Sequence, residues 1–408
     1  MYIKRRIEST VLKLTRSFPV VLLTGPRQVG KTTLFEQLRK ESGHSYVSLD
    51  EFEIRTLAKR DPGMFLEQYQ PPLIIDEIQY APQLLPYLKS RVDRSRKKSS
   101  FWLTGSQHFH LMKGVSESLA GRVAVLKLLG VSAAEEKGGK GGLGARVFEV
   151  APAKLDCSKI NLKELFGRIL RGGFPRLLTR GHPPIENFYG SYVQTYIDRD
   201  LRDLVRVGSL SSFETFIRLC AARTAQLLNL SDLARDSGIS VNTAKEWLAL
   251  LEASGHIYLL RPYYQNISKR LIKSPKLYFL DTGLVCYLTG WKTAETAMKG
   301  AMAGGLFETF VLAELIKSFW NQGLEAPIWF FRTKEKEEVD ILIDRNGKLY
   351  PIEIKLSARI SNEDLRGIKC IKKTNIPIGR SFFITASPHA YPLAGDIFAL
   401  PYTIVENL

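Results

Sequence analysis

The chain has 408 residues, 45% of them hydrophobic and 24% charged, which is room for two or three packed domains and excludes a disordered or collagen-like chain. Its 58 Lys and Arg outnumber 41 Asp and Glu, and the formal net charge of +17 favours polyanionic partners such as nucleic acid. No apolar run approaches the roughly twenty residues that span a bilayer, and the start MYIKRRIEST lacks a signal-peptide apolar core, so a cytoplasmic protein without a membrane role is expected.

Cys157, Cys220, Cys286 and Cys370 have no paired spacing suited to zinc or a redox dithiol and read as reduced core residues. His108 and His110 read as a loop feature.

Residues 20 to 33, VVLLTGPRQVGKTT, run from an apolar strand through a glycine-rich turn into a helical pattern, and they match G-x-x-x-x-G-K-[ST]. The loop Gly25, Pro26, Arg27, Gln28, Val29 and Gly30 would cradle ATP phosphates with the backbone N–H groups it offers. Lys31 would reach the β and γ oxygens, and Thr32, followed by Thr33, would hold Mg²⁺. PPLIIDEIQ, residues 71 to 79, is an apolar strand ending in Asp76, which would organise the metal, and Glu77, which would polarise the attacking water. The strand FWLTGSQ, 101 to 107, ends in Ser106 and Gln107, either of which could sense the γ-phosphate from the carboxyl end of the sheet. Arg122, in SLAGRV, either acts in trans on a neighbour's nucleotide in a homo-oligomeric ring or is a plain surface arginine.

GPRQVGKT, LIIDEIQ, LTGSQ and SLAGRV, in this order, resemble the AAA-type ATPase domain of a widespread bacterial and archaeal group of ATP-binding proteins. The resemblance implies a carboxyl-terminal region behind the ATPase, and GGFP and TYIDRDL resemble it too.

AAEEKGGKGGLGAR, 133 to 146, is glycine-rich and charged and reads as a flexible linker; the first boundary is set there, with the ATPase domain at 1–132 and the linker at 133–160. A helical region is expected over 161–300. Within it Arg199, Arg202 and Arg206 recur around Asp198, Asp200 and Asp203, as on a salt-bridged helix face. Residues 228 to 264 carry the punctuation of a winged helix-turn-helix. Ser231 caps a helix ending near Gly238, and Ser240 caps a second ending near Gly255 before an apolar strand. The second helix would expose Val241, Asn242, Lys245 and Glu246 to DNA or to a protein partner. Lys269, Arg270, Lys273 and Lys276 then gather in a stretch suited to tracking phosphates, or in a solvated basic turn.

The last region, 301–408, opens on GGLFETFVLAELIKSFW, whose apolar spacing predicts a core helix with Glu308 early on it. EVDILIDRNGKLYPIEIK, 338 to 355, is a hairpin about Asn346-Gly347. With Arg345 facing Lys348, Asp340 stands opposite Glu353 and Glu338 opposite Lys355. Alternation then gives Val339, Ile341, Ile343, Ile352 and Ile354 one apolar face. Like charges set face to face destabilise a strand pair, so something must neutralise Asp340 and Glu353. From Glu308 to Lys355 the segment resembles the PD-(D/E)XK nuclease superfamily. The resemblance implies a divalent ion between Asp340 and Glu353, with Lys355 by the scissile phosphate or the attacking water.

The expected fold class is thus α/β: a P-loop AAA-type ATPase domain, a helical and winged-helix middle, and a restriction-endonuclease-like α/β end. The expected function is ATP hydrolysis with Mg²⁺ coupled to duplex or branched DNA, with cutting left open. A ring-forming translocase that grips without cutting and a nucleotide-dependent switch on a protein partner are the rivals.

Overall fold

The computed structural model describes residues 2–95, 98–105, 114–115, 117–138, 148, 161–197, 210–263, 274–374 and 376–408. Ser106, Gln107, His108, His110, Cys157, Lys269, Arg270, Lys273 and the Asp198–Arg206 charge pattern lie outside these residues.

Five short apolar runs form a parallel sheet: β1 (Val20–Thr24), β2 (Ser45–Ser48), β3 (Leu73–Asp76), β4 (Phe101–Gly105) and β5 (Val123–Lys127). Their order is β2-β3-β4-β1-β5. β1, β3 and β4 are buried along their whole length, the pattern of parallel strands covered on both faces. Val21 and Leu23 point into one core layer and Val20 and Leu22 into another. Because β4 lies between β1 and β3, the turn after β1 and the ends of β3 and β4 share one edge. The helix Lys31–Ser42 follows that turn.

The expected linker is ordered at its start. Ser132 caps a short helix, Ala133–Glu136, through a capping box with Glu135. Glycine content downstream hid a structural carboxylate. The side chain of Glu135 is fully buried and pairs with Arg5 at 3.2 Å. Arg5 also donates to Val29 O (3.0 Å) in the glycine-rich turn, and to Leu129 O (2.8 Å) and Gly130 O (3.2 Å). Burial pushes the Glu135 carboxyl up, but Arg5 and the backbone N–H groups of Ser132 and Arg6 outweigh it and hold the group below its ordinary value.

In the middle of the chain the helix Leu210–Ala222 is followed by β6 (Gln226–Leu227), the helices Leu230–Asp236 and Val241–Ala253, β7 (Ile257–Leu260) and β8 (Lys276–Phe279). The strands form an antiparallel sheet in the order β6-β8-β7. Asn229, rather than Ser231, caps the first short helix, since its side chain reaches the N–H groups of Ser231 and Asp232; Ser240 caps the second. Trp247 packs edge-on against Phe213 and Phe216 and fixes the helix Val241–Ala253 on Leu210–Ala222.

The last unit is a six-stranded sheet, β13-β14-β12-β11-β10-β9, built from β9 (Ile328–Arg332), β10 (Glu338–Arg345), β11 (Lys348–Lys355), β12 (Ser381–Thr385), β13 (Tyr391–Ala394) and β14 (Ile397–Pro401). The hairpin register is the expected one: Arg345 faces Lys348 and Ile341 faces Ile352, with Asn346 and Gly347 at φ 53° and 75°. One residue departs. An irregularity between Val339 and Leu342 against β9 turns Val339 into the core layer of Leu342, away from Ile341, Ile343, Ile352 and Ile354.

The helix Ala303–Trp320 runs between the units and is buried on almost every side. Glu314 accepts from Ala133 N at 2.8 Å and from Lys317 at 2.8 Å, and Lys317 donates on to Val131 O at 3.3 Å. Arg5→Met would strip Glu135 of its buried partner and cost about 3 kcal/mol of stability. It should also weaken nucleotide binding, because the turn at Val29 loses its support. Thermal melts and fluorescent-nucleotide titration check the two effects. Since the Glu135 pKa is depressed in the fold, its contribution is present above the ordinary carboxylate range and fades as pH falls through it.

Candidate nucleotide site and the acid pocket

The turn after β1 closes on itself. Gly25 has φ 143° and sits so close to the next strand's exit that a Cβ there would lie 2.0 Å from Leu128 O. Gly30, at φ 96°, begins the helix. Lys31 is buried and its ammonium donates to Gly25 O (3.0 Å) and Pro26 O (2.8 Å), so the charge is held inside the curl of the turn. A cavity of about 580 Å³ opens above it. Arg27, Gln28, Gly30, Lys31, Thr32 and Thr33 form one wall, with Asp50 and Glu77 beside them. Val29 lies behind the wall in the core.

Asp76 ends β3 beneath this wall. It accepts from Thr32 Oγ1 at 3.0 Å, from the hydroxyl of Tyr46 at 2.9 Å and from Thr104. A hydroxyl and a carboxylate in this relation are the hard oxygen donors Mg²⁺ prefers, so Thr32 and Asp76 fit the ion a nucleotide would bring. Glu77 follows in a left-handed conformation, φ 56°, a strained state for this residue type that turns it out of the strand towards the cavity it lines. Its N–H donates to Thr104 at 3.1 Å.

Sequence reasoning missed four groups here. Tyr46 and Thr104 orient Asp76 from neighbouring strands, and no local motif marks them. Arg176, in the turn Pro175–Leu178, and Arg180, just beyond it, line the same cavity. They reach it because Gly130 and Gly173 pass with almost no space between them; a Cβ on Gly130 would lie 2.7 Å from Gly173 O. The words GGFPRLL carried that signal, although they do not say what the glycines touch. Arg122 is not among the residues lining this cavity; it forms a two-pronged pair with Asp93 at 2.5 and 3.0 Å.

The second expected site gathers its acids, with a different partner. Lys276, the first residue of β8, places its ammonium 2.6 Å from Glu338, 3.1 Å from Glu308 and 3.2 Å from Asp340. Its side chain is only 4% exposed, so the expected phosphate-tracking role is corrected to a buried one. Burial lowers its proton affinity, but Asp340, Glu308 and Glu338 outweigh this and hold it well above the ordinary lysine value. The other Asp340 oxygen accepts from Ile354 N at 3.0 Å. Tyr278 donates to Glu308 at 2.5 Å.

Burial and then the Asp340 charge push Glu308 up to about 7. Burial, then the Asp340 charge and a hydrogen bond to Asp340, raise the Glu353 carboxyl well above its ordinary value. Lys276 supplies positive charge beside Asp340, where a divalent ion was expected to relieve the repulsion. Lys355 faces Asp364 at 2.9 Å instead of Glu338, and Glu338 takes Arg332 at 2.6 Å. Among the described residues no group of three His, Cys, Asp or Glu is arranged to hold a metal ion. The donors present do not fit one while Lys276 stands among them.

A parallel sheet in this strand order, with its glycine-wrapped lysine and paired Thr32 and Asp76 at one edge, defines a P-loop ATPase domain of the AAA type. A family model described as an AAA domain matches residues 17–136, and two described as domains of unknown function, DUF8612 and DUF4143, match 162–295 and 303–405. The chain is 30% identical over 406 residues to an uncharacterized protein of Mycobacterium tuberculosis, and equally to one of Mycobacterium bovis, over 98% of this chain and 84% of each relative. It belongs to the family of these mycobacterial proteins. Among solved structures it is similar to a Walker-type ATPase of Pyrococcus abyssi, with TM-score 0.40, 16% identity, and 70% of this chain and 96% of that one covered. It is also similar to the Thermotoga maritima RuvB Holliday junction branch migration motor, with TM-score 0.32, 19% identity, and 63% and 90% covered.

Gly25→Ala forces a side chain into a left-handed backbone against Leu128, a strain of about 1 to 3 kcal/mol. ATP affinity should fall about tenfold or more. Isothermal titration with a non-hydrolysable ATP analogue reads it directly.

Proposed function

We propose that the chain hydrolyses ATP in the cavity between the glycine-rich turn and Arg176 and Arg180, and that this turnover acts on DNA. The observation that carries the reading is the composition of that cavity: one wall is the ATPase domain, the other belongs to the unit that follows it. In phosphoryl transfer the protein mostly positions reactants and supplies charge. Lys31, Arg27, Arg176 and Arg180 supply positive charge around the phosphates, Thr32 and Asp76 would hold Mg²⁺, which neutralises phosphate charge when bound, and Glu77 orients the attacking water. Loss of the γ-phosphate removes negative charge from between the two walls, so the second unit can respond to hydrolysis.

DNA as the partner is supported by the net charge of +17 and by the helix pair Leu230–Asp236 and Val241–Ala253 with its β7–β8 hairpin, a layout suited to the major groove. Val241, Asn242, Lys245 and Glu246 are exposed on the second helix. A ring would let Arg122 reach a neighbour's nucleotide once it leaves Asp93. A switch acting on a protein partner is the second reading. It is favoured by Lys245 being the one cation among those four exposed residues, and by the apolar Val241 beside it. The compartment proposed is the cytoplasm; among the described residues no helix is long and apolar enough to cross a membrane.

Lys31→Ala should abolish ATP turnover and leave the melting temperature close to wild type. Duplex or branched DNA should raise the wild-type rate severalfold, with an effect that declines steeply with salt. Steady-state hydrolysis against a panel of duplex, single-stranded and branched DNAs measures both. No stimulation by any of them would turn the reading to the protein-partner switch.

A further inference from the structure

We infer that Lys276 is the resident cation of the acid pocket, and that the unit 301–408 is a metal-free clamp on the β7–β8 sheet rather than a nuclease. The pocket has the residues of a metal-dependent phosphodiesterase, and the position among them is filled from outside the unit. The ammonium lies 2.6 to 3.2 Å from three carboxylates contributed by Glu308, Glu338 and Asp340, the distances of charge-assisted hydrogen bonds, so it takes the place among them where a metal ion would sit.

Three further observations agree. Asp340 spends its second oxygen on Ile354 N, a bond that fixes the carboxylate towards Lys276. Lys355, the residue a cutting mechanism would place at the phosphate, is turned to Asp364 and anchored there. Tyr278, two residues beyond Lys276 and on the same face of β8, adds its hydroxyl to Glu308. Strand β8 is therefore bound to the last unit by two adjacent side chains on one face, while its backbone pairs with β6 and β7. A lysine on a solvated loop would exchange freely with metal; this one is held by its own sheet.

The clamp also explains why Lys276 is a lysine. A hydrophobic residue at that position would leave the half-buried acids Glu308, Glu338 and Asp340 without the ammonium they share, with Arg332 paired to Glu338 alone among them. The divalent ion the acids could then recruit would restore the balance. Lys276 thus decides between a nuclease-like metal site and a rigid joint to the preceding unit, and this chain has taken the joint.

Manganese uptake tests the inference on nucleotide-free full-length protein, read by electron paramagnetic resonance, with Asp340→Asn as the comparison. Wild type and Asp340→Asn should take up the same amount at millimolar Mn²⁺, and the wild-type melting temperature should not change between Mg²⁺ and a chelator. Lys276→Met should gain one bound Mn²⁺ per chain, lost again in the Lys276→Met, Asp340→Asn double variant. Uptake in the wild type that disappears in Asp340→Asn would overturn the inference. So would Mg²⁺-dependent cleavage of DNA or RNA that Asp340→Asn abolishes. A folded Lys276→Met variant that gains no Mn²⁺ would overturn the substitution of ammonium for metal. If Lys276→Met does not fold, the wild-type comparison decides alone.

Discussion

Charge that leaves water must meet its opposite in the interior, and the helix Ala303–Trp320 is where this protein meets that demand twice. Near its carboxyl end Glu314 and Lys317 join the exit of the ATPase sheet at Val131 and Ala133. Near its amino end Glu308 joins Lys276 of β8 and Asp340 of β10. Burying such groups is costly, and satisfied networks return that cost only when every member keeps its partner. The three stretches matched by separate family models are therefore bound through polar contacts that cannot slip past one another without exposing an unpaired charge.

That constraint gives the nucleotide cavity its consequence. Arg176 and Arg180 share a cavity with Lys31, and nearby Gly173 is pressed on Gly130 and Val131, Val131 being itself bound by Lys317. Asp281 holds the Gly173 turn through its N–H at 2.8 Å and accepts from Tyr189 at 2.7 Å. Asp281 lies two residues beyond the end of β8 and caps the helix Thr282–Leu288. Close packing and hydrogen bonds thus link the Gly130 edge of the ATPase sheet, through Gly173, to Asp281 just beyond the strand that carries Lys276.

The parts legible in the sequence are those whose chemistry demands adjacent residues. A phosphate turn needs glycines, a lysine and a hydroxyl in unbroken order, so residues 25 to 33 declare themselves. The hairpin register followed from Asn346-Gly347 because positive φ at two successive positions suits few other pairs. What escaped is long-range. Lys276 reads as one more cation in a basic run, and only the packing of β8 on Glu308 and Asp340 shows that it is buried. Tyr46 and Thr104 reach Asp76 from separate strands, and Arg5 reaches Glu135 across most of the ATPase domain. Glu135 was masked by the glycines after it, and Val339 by an irregularity that a strict period of two cannot anticipate.

The central claim is that Asp340 is balanced by Lys276 and not by a metal. A double-mutant cycle on unfolding free energy, combining Lys276→Met with Asp340→Asn, tests it most directly. The account predicts a coupling of about 1 to 3 kcal/mol, the double variant being more stable than the two separate losses imply. Strictly additive losses, unchanged by chelator, would contradict it.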